Sequence, residues 1–268
     1  MQLWNVQSSQ NRADTDSLRH LLRTLLDKVR LDKSATINPA ILFARQIAGT
    51  PAQADNVRID LNQPVHDSAG HERTVYRPLL AYTIAQLGRA DLHLDWFNRA
   101  AQLPTQMPVN GDEAIAWVWS ALALQVAGAG REDWQPQPKR MFDSLFQNQQ
   151  RTGAFLPPTS SVHPELRWYQ EMVLLHAATT YAVLSPTELA IQSVTSAAKF
   201  QAEEIQPDHA TLEPWALFAY LVYPDARMLA DHLLHSVQLR LARTGSIDVL
   251  TVVLIADALY CLNRLNSA

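Results

Sequence analysis

The residues with the most chemical potential stand just ahead of apolar segments or inside their first turns. Tyr76 and Arg77 precede PLLAYTIAQL, Asp112 and Glu113 precede AIAWVWSALAL, and Glu165 to Glu171 open the stretch that ends HAATTYAVL. His209 and Glu213 come before PWALFAYLV, and Asp248 before LTVVLIADALYCL. Trp117, Trp168, Tyr169 and Trp215 fall within the same segments. Carboxylates beside aromatic rings suit a carbohydrate-like ligand, because sugar faces stack on rings and two acids about 5–10 Å apart are the minimum for glycoside hydrolysis. Glu171, Asp112 and Glu213 are therefore the candidates for proton transfer, in a hydrolase or a lyase. Tyr76, Arg77, Trp117, Trp168, Tyr169, His209 and Trp215 are the candidates for ligand contact.

A plainer reading covers most of these residues. Acids in a first turn complement the helix macrodipole, and tryptophans fill cores. Glu171 stands apart, because it lies about two turns into a largely apolar helix. A carboxylate there needs a partner or a raised pKa, and Arg167, one turn earlier, is the structural partner on offer. His176, on the same helix, reads as a hydrogen-bonded core histidine. His209 and Glu213 are four apart, as metal ligands on one helix face would be, but Pro214 suggests that the helix starts only after them. His163-Pro164-Glu165 is explained as a helix start. No H-x-x-x-H, paired C-x-x-C, phosphate-cradling glycine motif or G-x-S-x-G occurs, so neither a metal nor a cofactor is expected.

Composition narrows the classes further. The 268 residues are 47% hydrophobic and carry a net charge of −4, with no Lys/Arg run longer than two. A protein that held nucleic acid through its phosphates would need a basic stripe, so no nucleic-acid partner is expected. The single cysteine, Cys261, excludes an intrachain disulfide. The first residues lack a basic stretch followed by an apolar one, and no segment offers roughly 18 uninterrupted apolar residues. The expectation is a cytoplasmic protein without a membrane span.

The elements that must position the candidates are helices. Leu18, Leu21, Leu22, Leu25, Leu26 and Val29 form one stripe, with Asp14 to Asp16 as caps, leaving 1–13 loosely packed. Asn38-Pro39 opens a second helix that stops near Gly49. Residues 50–77 form an irregular insertion, with a possible short hairpin near 55–76. From Pro78 onward, segments apolar all round alternate with segments apolar on one stripe only. The first kind must be enclosed and the second can face water, so the alternation predicts an inner and an outer layer in one domain of about eleven helices. The first two helices and the 50–77 segment are expected to close or cover one side.

One junction carries a further signal. Leu145 and Phe146 lead into Gln149, Gly153 and Phe155, a Q-x-x-x-G-x-F pattern, and Arg243–Ile247 (RTGSI) weakly echoes it. The pattern resembles the glutamine–tryptophan repeat of terpenoid cyclases, with Phe155 where that family usually has Trp. It points to the α/α-toroid superfamily, which includes those cyclases, protein prenyltransferase β-subunits and α/α-barrel carbohydrate-active enzymes. The resemblance implies an α/α toroid or an incomplete (α/α)6 barrel, with a ligand cleft at the end where the inner helices begin. The cyclases' D-x-D-D motif is absent, and the prenyltransferases' Asp, Cys and His zinc ligands have no counterpart, since Asp257 and Cys261 have no histidine near them in sequence. Two non-enzymatic readings stand beside the carbohydrate one: a helical scaffold for a protein partner, and a carrier of an apolar ligand.

Overall fold

The computed structural model describes residues 8–29, 38–50, 73–129, 131–158 and 162–267, together with positions 60, 61, 65, 67 and 69. The described residues are 72% helical and contain no strand. The α-helices are α1 (Ser8–Leu26), α2 (Pro39–Ala48), α3 (Tyr76–Gln86), α4 (Leu94–Ala100), α5 (Gly111–Ala127), α6 (Pro136–Gln147), α7 (Pro164–Leu184), α8 (Glu188–Glu204), the single turn α9 (Pro207–Ala210), α10 (Leu217–Val222), α11 (Arg227–Thr244) and α12 (Val249–Ser267). Apart from the α9 turn, the number agrees with the expectation. The possible hairpin near 55–76 falls largely outside the described residues.

Caps set several boundaries. The Asn38 side chain accepts from Ala40 N–H with Pro39 at the first helical position, and Asn110 accepts from Asp112 and Glu113. Thr187 accepts from Ala190 N–H at the start of α8. The start of α1 differs from expectation: the helix begins at Ser8, so Asp14 lies inside it. Its first turns carry no apolar stripe because their contact is polar. Asp14 takes two hydrogen bonds from Arg227 of α11, at 2.6 and 2.7 Å, and Thr15 accepts one from Asn266 of α12 at 3.1 Å.

The helices sort by burial as their composition requires. Most of α3, α5, α7, α10 and α12 is inaccessible to water, whereas α6, α8 and α11 bury one side. The second helix departs from expectation. Seven of its ten residues are buried, so it belongs with the enclosed helices and not with a covering segment. Arg45 and Gln46 give the sequence of α2 a polar side that its burial does not follow. Contacts among the six enclosed helices run in a circuit: α2 on α3, α3 on α5, α5 on α7, α7 on α10, α10 on α12, and α12 back on α2. Other helices pack against members of this circuit, α1 on α12 and α2, α4 and α6 on α5, α8 on α7, and α11 on α10. By length and hydropathy α12 could cross a membrane, but 67% of its most apolar 18-residue window is buried inside the fold.

The joint after α6 is built closely. Gln149 Nε2 donates to the carbonyls of Gly153 (2.8 Å) and of Ser193 on α8 (2.9 Å). Gly153 has φ +99°, and a Cβ there would lie 2.4 Å from the Ser196 carbonyl oxygen. Phe155 is buried just beyond. Gly245, in the RTGSI echo, also has positive φ but has open space where a side chain would go. Gly153→Ala should therefore cost roughly 2–3 kcal/mol, from left-handed backbone and collision together, and Gly245→Ala only about 1 kcal/mol. Denaturant unfolding of the two variants checks the difference; equal losses would remove the close approach to α8 as a determinant.

Candidate functional site

Residues at the starts of α3, α5, α7, α10 and α12 lie near one another. Thr74 Oγ1 donates to the Asp112 carbonyl (3.4 Å), and Gln170 Nε2 on α7 donates to Asp112 Oδ1 on α5 (3.0 Å). Glu213 precedes α10, and its charge acts on Tyr76, Tyr169 and Asp248. Asp67, buried over this end, acts on both tyrosines, and the Arg73 guanidinium lies 5.4 Å from the centre of the Tyr169 ring. Burial and these carboxylates push both phenols well above the ordinary tyrosine range. Burial also raises Asp248, against the pull of the Thr251 N–H and Arg240, whose Nη1 donates to it at 3.0 Å.

Gathered is not the same as open. Tyr76, Tyr169, Trp117 and Trp215 are all buried, so their faces are occupied by protein. Trp117 Nε1 donates to the Pro104 carbonyl at 2.7 Å, which ties α5 to the connection before it. Glu213 accepts from the Thr211 hydroxyl. Arg77 and Asp112 are exposed. His209 is exposed on α9, and Glu213 lies beyond that turn in a non-helical stretch, so the four-residue spacing does not place them on one helix. Two polar atoms in this region are buried without a hydrogen-bond partner, Tyr169 Oη and Trp215 Nε1. Among the described residues, no three His, Cys, Asp or Glu side chains group as they would around a metal ion.

Glu171 and Trp168 lie elsewhere, on the side of α7 that faces α8. Glu171 is fully buried; its Oε2 accepts from Phe155 N–H (2.9 Å) and its Oε1 from Leu156 N–H (2.8 Å). Arg167 Nη2 donates to the Leu156 carbonyl at 2.9 Å, so α7 clamps the joint from two positions. Gln201 of α8 donates to the Glu171 carbonyl at 2.9 Å, and Tyr220 of α10 donates to Gln201 Oε1 at 2.5 Å. Burial pushes the Glu171 carboxyl up to about 7, against the two backbone N–H groups and Arg167, which favour its charged form. A cleft of about 840 Å³ opens over this clamp between α7, α8 and the joint, with half-buried Trp168 and Phe200 among its walls.

Aromatic rings pack between the helices of the circuit. Phe43, Tyr82, Trp119, Trp215 and Tyr169 run edge to face through it, with centroids 6.2, 5.7, 5.8 and 6.3 Å apart in turn. Within this apolar mass lies a polar cluster that spacing alone does not reveal. Asp257 of α12 accepts from the Tyr82 hydroxyl of α3, from Thr180 Oγ1 of α7 at 2.9 Å, and from His176 Nε2 of α7 at 3.0 Å. The Ala216 N–H donates to His176 Nδ1 at 3.2 Å, so the imidazole hydrogen is on Nε2, facing Asp257. Cys261 Sγ donates to Thr180 Oγ1 at 3.6 Å, and burial, aided by Asp257, holds its thiol well above the usual range. His176 thus has the core role expected of it. Asp257 does have a histidine beside it, 81 residues away in sequence. The available signal was a lone carboxylate in an otherwise apolar helix.

Compared with family profiles, curated proteins and solved structures, the chain matches none.

Asp257→Asn keeps the shape but offers an amide to three donors. It should lower stability by about 2 kcal/mol in denaturant unfolding, and an unchanged midpoint would remove the cluster as a determinant of the core. For Glu171 the sign follows from a folded pKa of about 7 set above the ordinary 4.5. The folded state then holds a proton that the unfolded chain releases, so this contribution is complete below pH 4.5 and is lost as pH rises to about 7. Measured against Glu171→Gln, the wild type should lose up to roughly 3 kcal/mol of relative stability across that window, and a flat difference would contradict the shift.

Proposed function

We propose that this protein is an α/α toroid with a solid axis that binds a carbohydrate-like ligand and holds it without transforming it. The circuit of six enclosed helices, sheathed by the others, supports the toroid reading. The observation that carries the functional part is the disposition of the three candidate acids. Glu171 is spent on two backbone N–H groups, Asp112 accepts from the Gln170 amide, and Glu213 accepts from the Thr211 hydroxyl. Glycoside hydrolysis needs two carboxyls flanking one bond, one of them able to exchange a proton with it. Here Glu171 lies on the α8 side of α7, while Asp112 and Glu213 share the end where Tyr169 sits. Aromatic rings, acids, amides and arginines remain a good lining for a hydroxyl-rich molecule, whose groups both donate and accept.

A second reading, a helical scaffold for a protein partner, draws support from Val109, Leu166 and Leu212. These side chains are 81%, 37% and 45% exposed and stand beside the starts of α5, α7 and α10. The apolar-ligand carrier needs an open axis, and the packed rings leave it without support.

Thermal unfolding of the full chain with a panel of mono- and oligosaccharides tests the first reading. The expected outcome is a concentration-dependent rise in Tm with at least one sugar, and chromatography should recover that sugar intact. Cleavage of the bound sugar would overturn binding without turnover, and a Tm indifferent to every sugar would favour the scaffold.

A further inference from the structure

The chemistry expected at the starts of the inner helices calls for three things at once: an aromatic face that a ligand can reach, polar groups of both signs around it, and room. At that end the aromatic faces are already covered by protein. The three occur together on the flank of α7. The cleft there measures about 840 Å³, within the usual range for small-molecule sites. Trp168 and Phe200, from α7 and α8, are only half-buried and belong to its walls. Arg151 and Thr152 line it from the joint, and Glu203 and Glu204 from the C-terminal turn of α8.

We infer that this lateral cleft, and not the axial end of the helix circuit, is where the protein takes a neutral, polyhydroxylated ligand of about disaccharide size. The inference rests on the binding reading above and gives it a location.

The charge balance argues for a neutral ligand. Arg151 stands against Glu203 and Glu204 on the rim, and Glu203 is already 4.0 Å from Lys199. On the floor, Arg167 donates to the Leu156 carbonyl and acts electrostatically on Glu171, so the positive group there has an acid beside it. A strongly cationic or anionic ligand would meet both signs at once, whereas hydroxyl groups donate to carboxylates and accept from guanidinium and amide groups. The aromatic walls favour a ring-shaped ligand with flat C–H faces over a flexible polyol.

The walls also explain why this site can be specific. The segment bearing Arg151 and Thr152 is held by contacts made elsewhere. Gln149 is bonded to the carbonyls of Gly153 and Ser193, Gly153 is pressed on Ser196, and Phe155 and Leu156 are clamped by Glu171. Such a wall is set before the ligand arrives, which reduces the ordering cost of binding.

The test is isothermal titration calorimetry of the full chain with maltose, cellobiose and N,N′-diacetylchitobiose. At least one should bind saturably in the millimolar range or tighter. Trp168→Ala should then weaken it by about tenfold or more, the size of a lost aromatic contact. Trp168 also packs on the core, so Glu204→Lys, on the exposed rim, supplies a second variant, with affinity reduced and Tm unchanged. Saturable binding that both variants leave at wild-type affinity would place the ligand elsewhere, overturning the cleft while preserving the binding reading. Absence of binding by all three disaccharides, together with a Tm indifferent to the wider sugar panel, would overturn both.

Discussion

A carboxylate in the middle of an apolar helix has to be met by donors, and in this protein three donors reach it from two other helices. Asp257 sits in α12 among valine, leucine, isoleucine and alanine, with 1% of its surface exposed. An unpaired buried charge costs several kcal/mol, so the helices carrying Tyr82, His176 and Thr180 are held at hydrogen-bond distance from α12. His176 passes the constraint on. Its other ring nitrogen accepts from Ala216, the only non-glycine residue with positive φ among those described, and so fixes the chain just before α10 turns. One side chain thereby sets α3, α7, α10 and α12 relative to one another, where apolar packing alone would tolerate sliding. Around the same cluster, the rings of Tyr82, Trp119 and Trp215 pack edge to face.

Outside this centre the layers are joined by polar contacts at the helix ends. Gln149 reaches from the end of α6 to α8, Glu171 reaches from α7 to the joint, and Arg227 reaches from α11 to the first turns of α1. Each supplies directional bonds where a chain reverses and backbone groups need partners. A cleft lies at the seam between α7 and α8. There the reversing segment forms a wall, and tryptophan and phenylalanine show part of their faces. A fold with a solid centre can still present a concave surface, provided that the junctions are stiff.

Much of the architecture was legible from hydrophobic patterning. AIAWVWSALAL and LTVVLIADALYCL are apolar around their whole circumference, and both are enclosed, because no orientation of such a helix hides it by one face alone. A capping residue located the start of α2, since the Asn38 side chain acts on the N–H two positions away. The first turns of α1 were not legible, because their contacts are polar and lie more than two hundred residues away in sequence. The place of α2 was not legible either, since Arg45 and Gln46 give its sequence a polar side although seven of its ten residues are buried.

For the candidate site the division is sharper. Sequence by itself determined which residues carry ionisable and aromatic groups, and that many of them open inner helices, because both are local properties of the chain. Only the tertiary structure decided which of them share a space. Two positions along α7 separate Tyr169 from Glu171, yet at about 100° per residue that step turns one toward the gathered helix starts and the other toward α8. Nor could sequence pair Asp257 with His176, or turn Trp215 into the core and Trp168 toward a cleft. Those outcomes depend on how whole helices rotate to bury their largest faces, a choice made by all the contacts together.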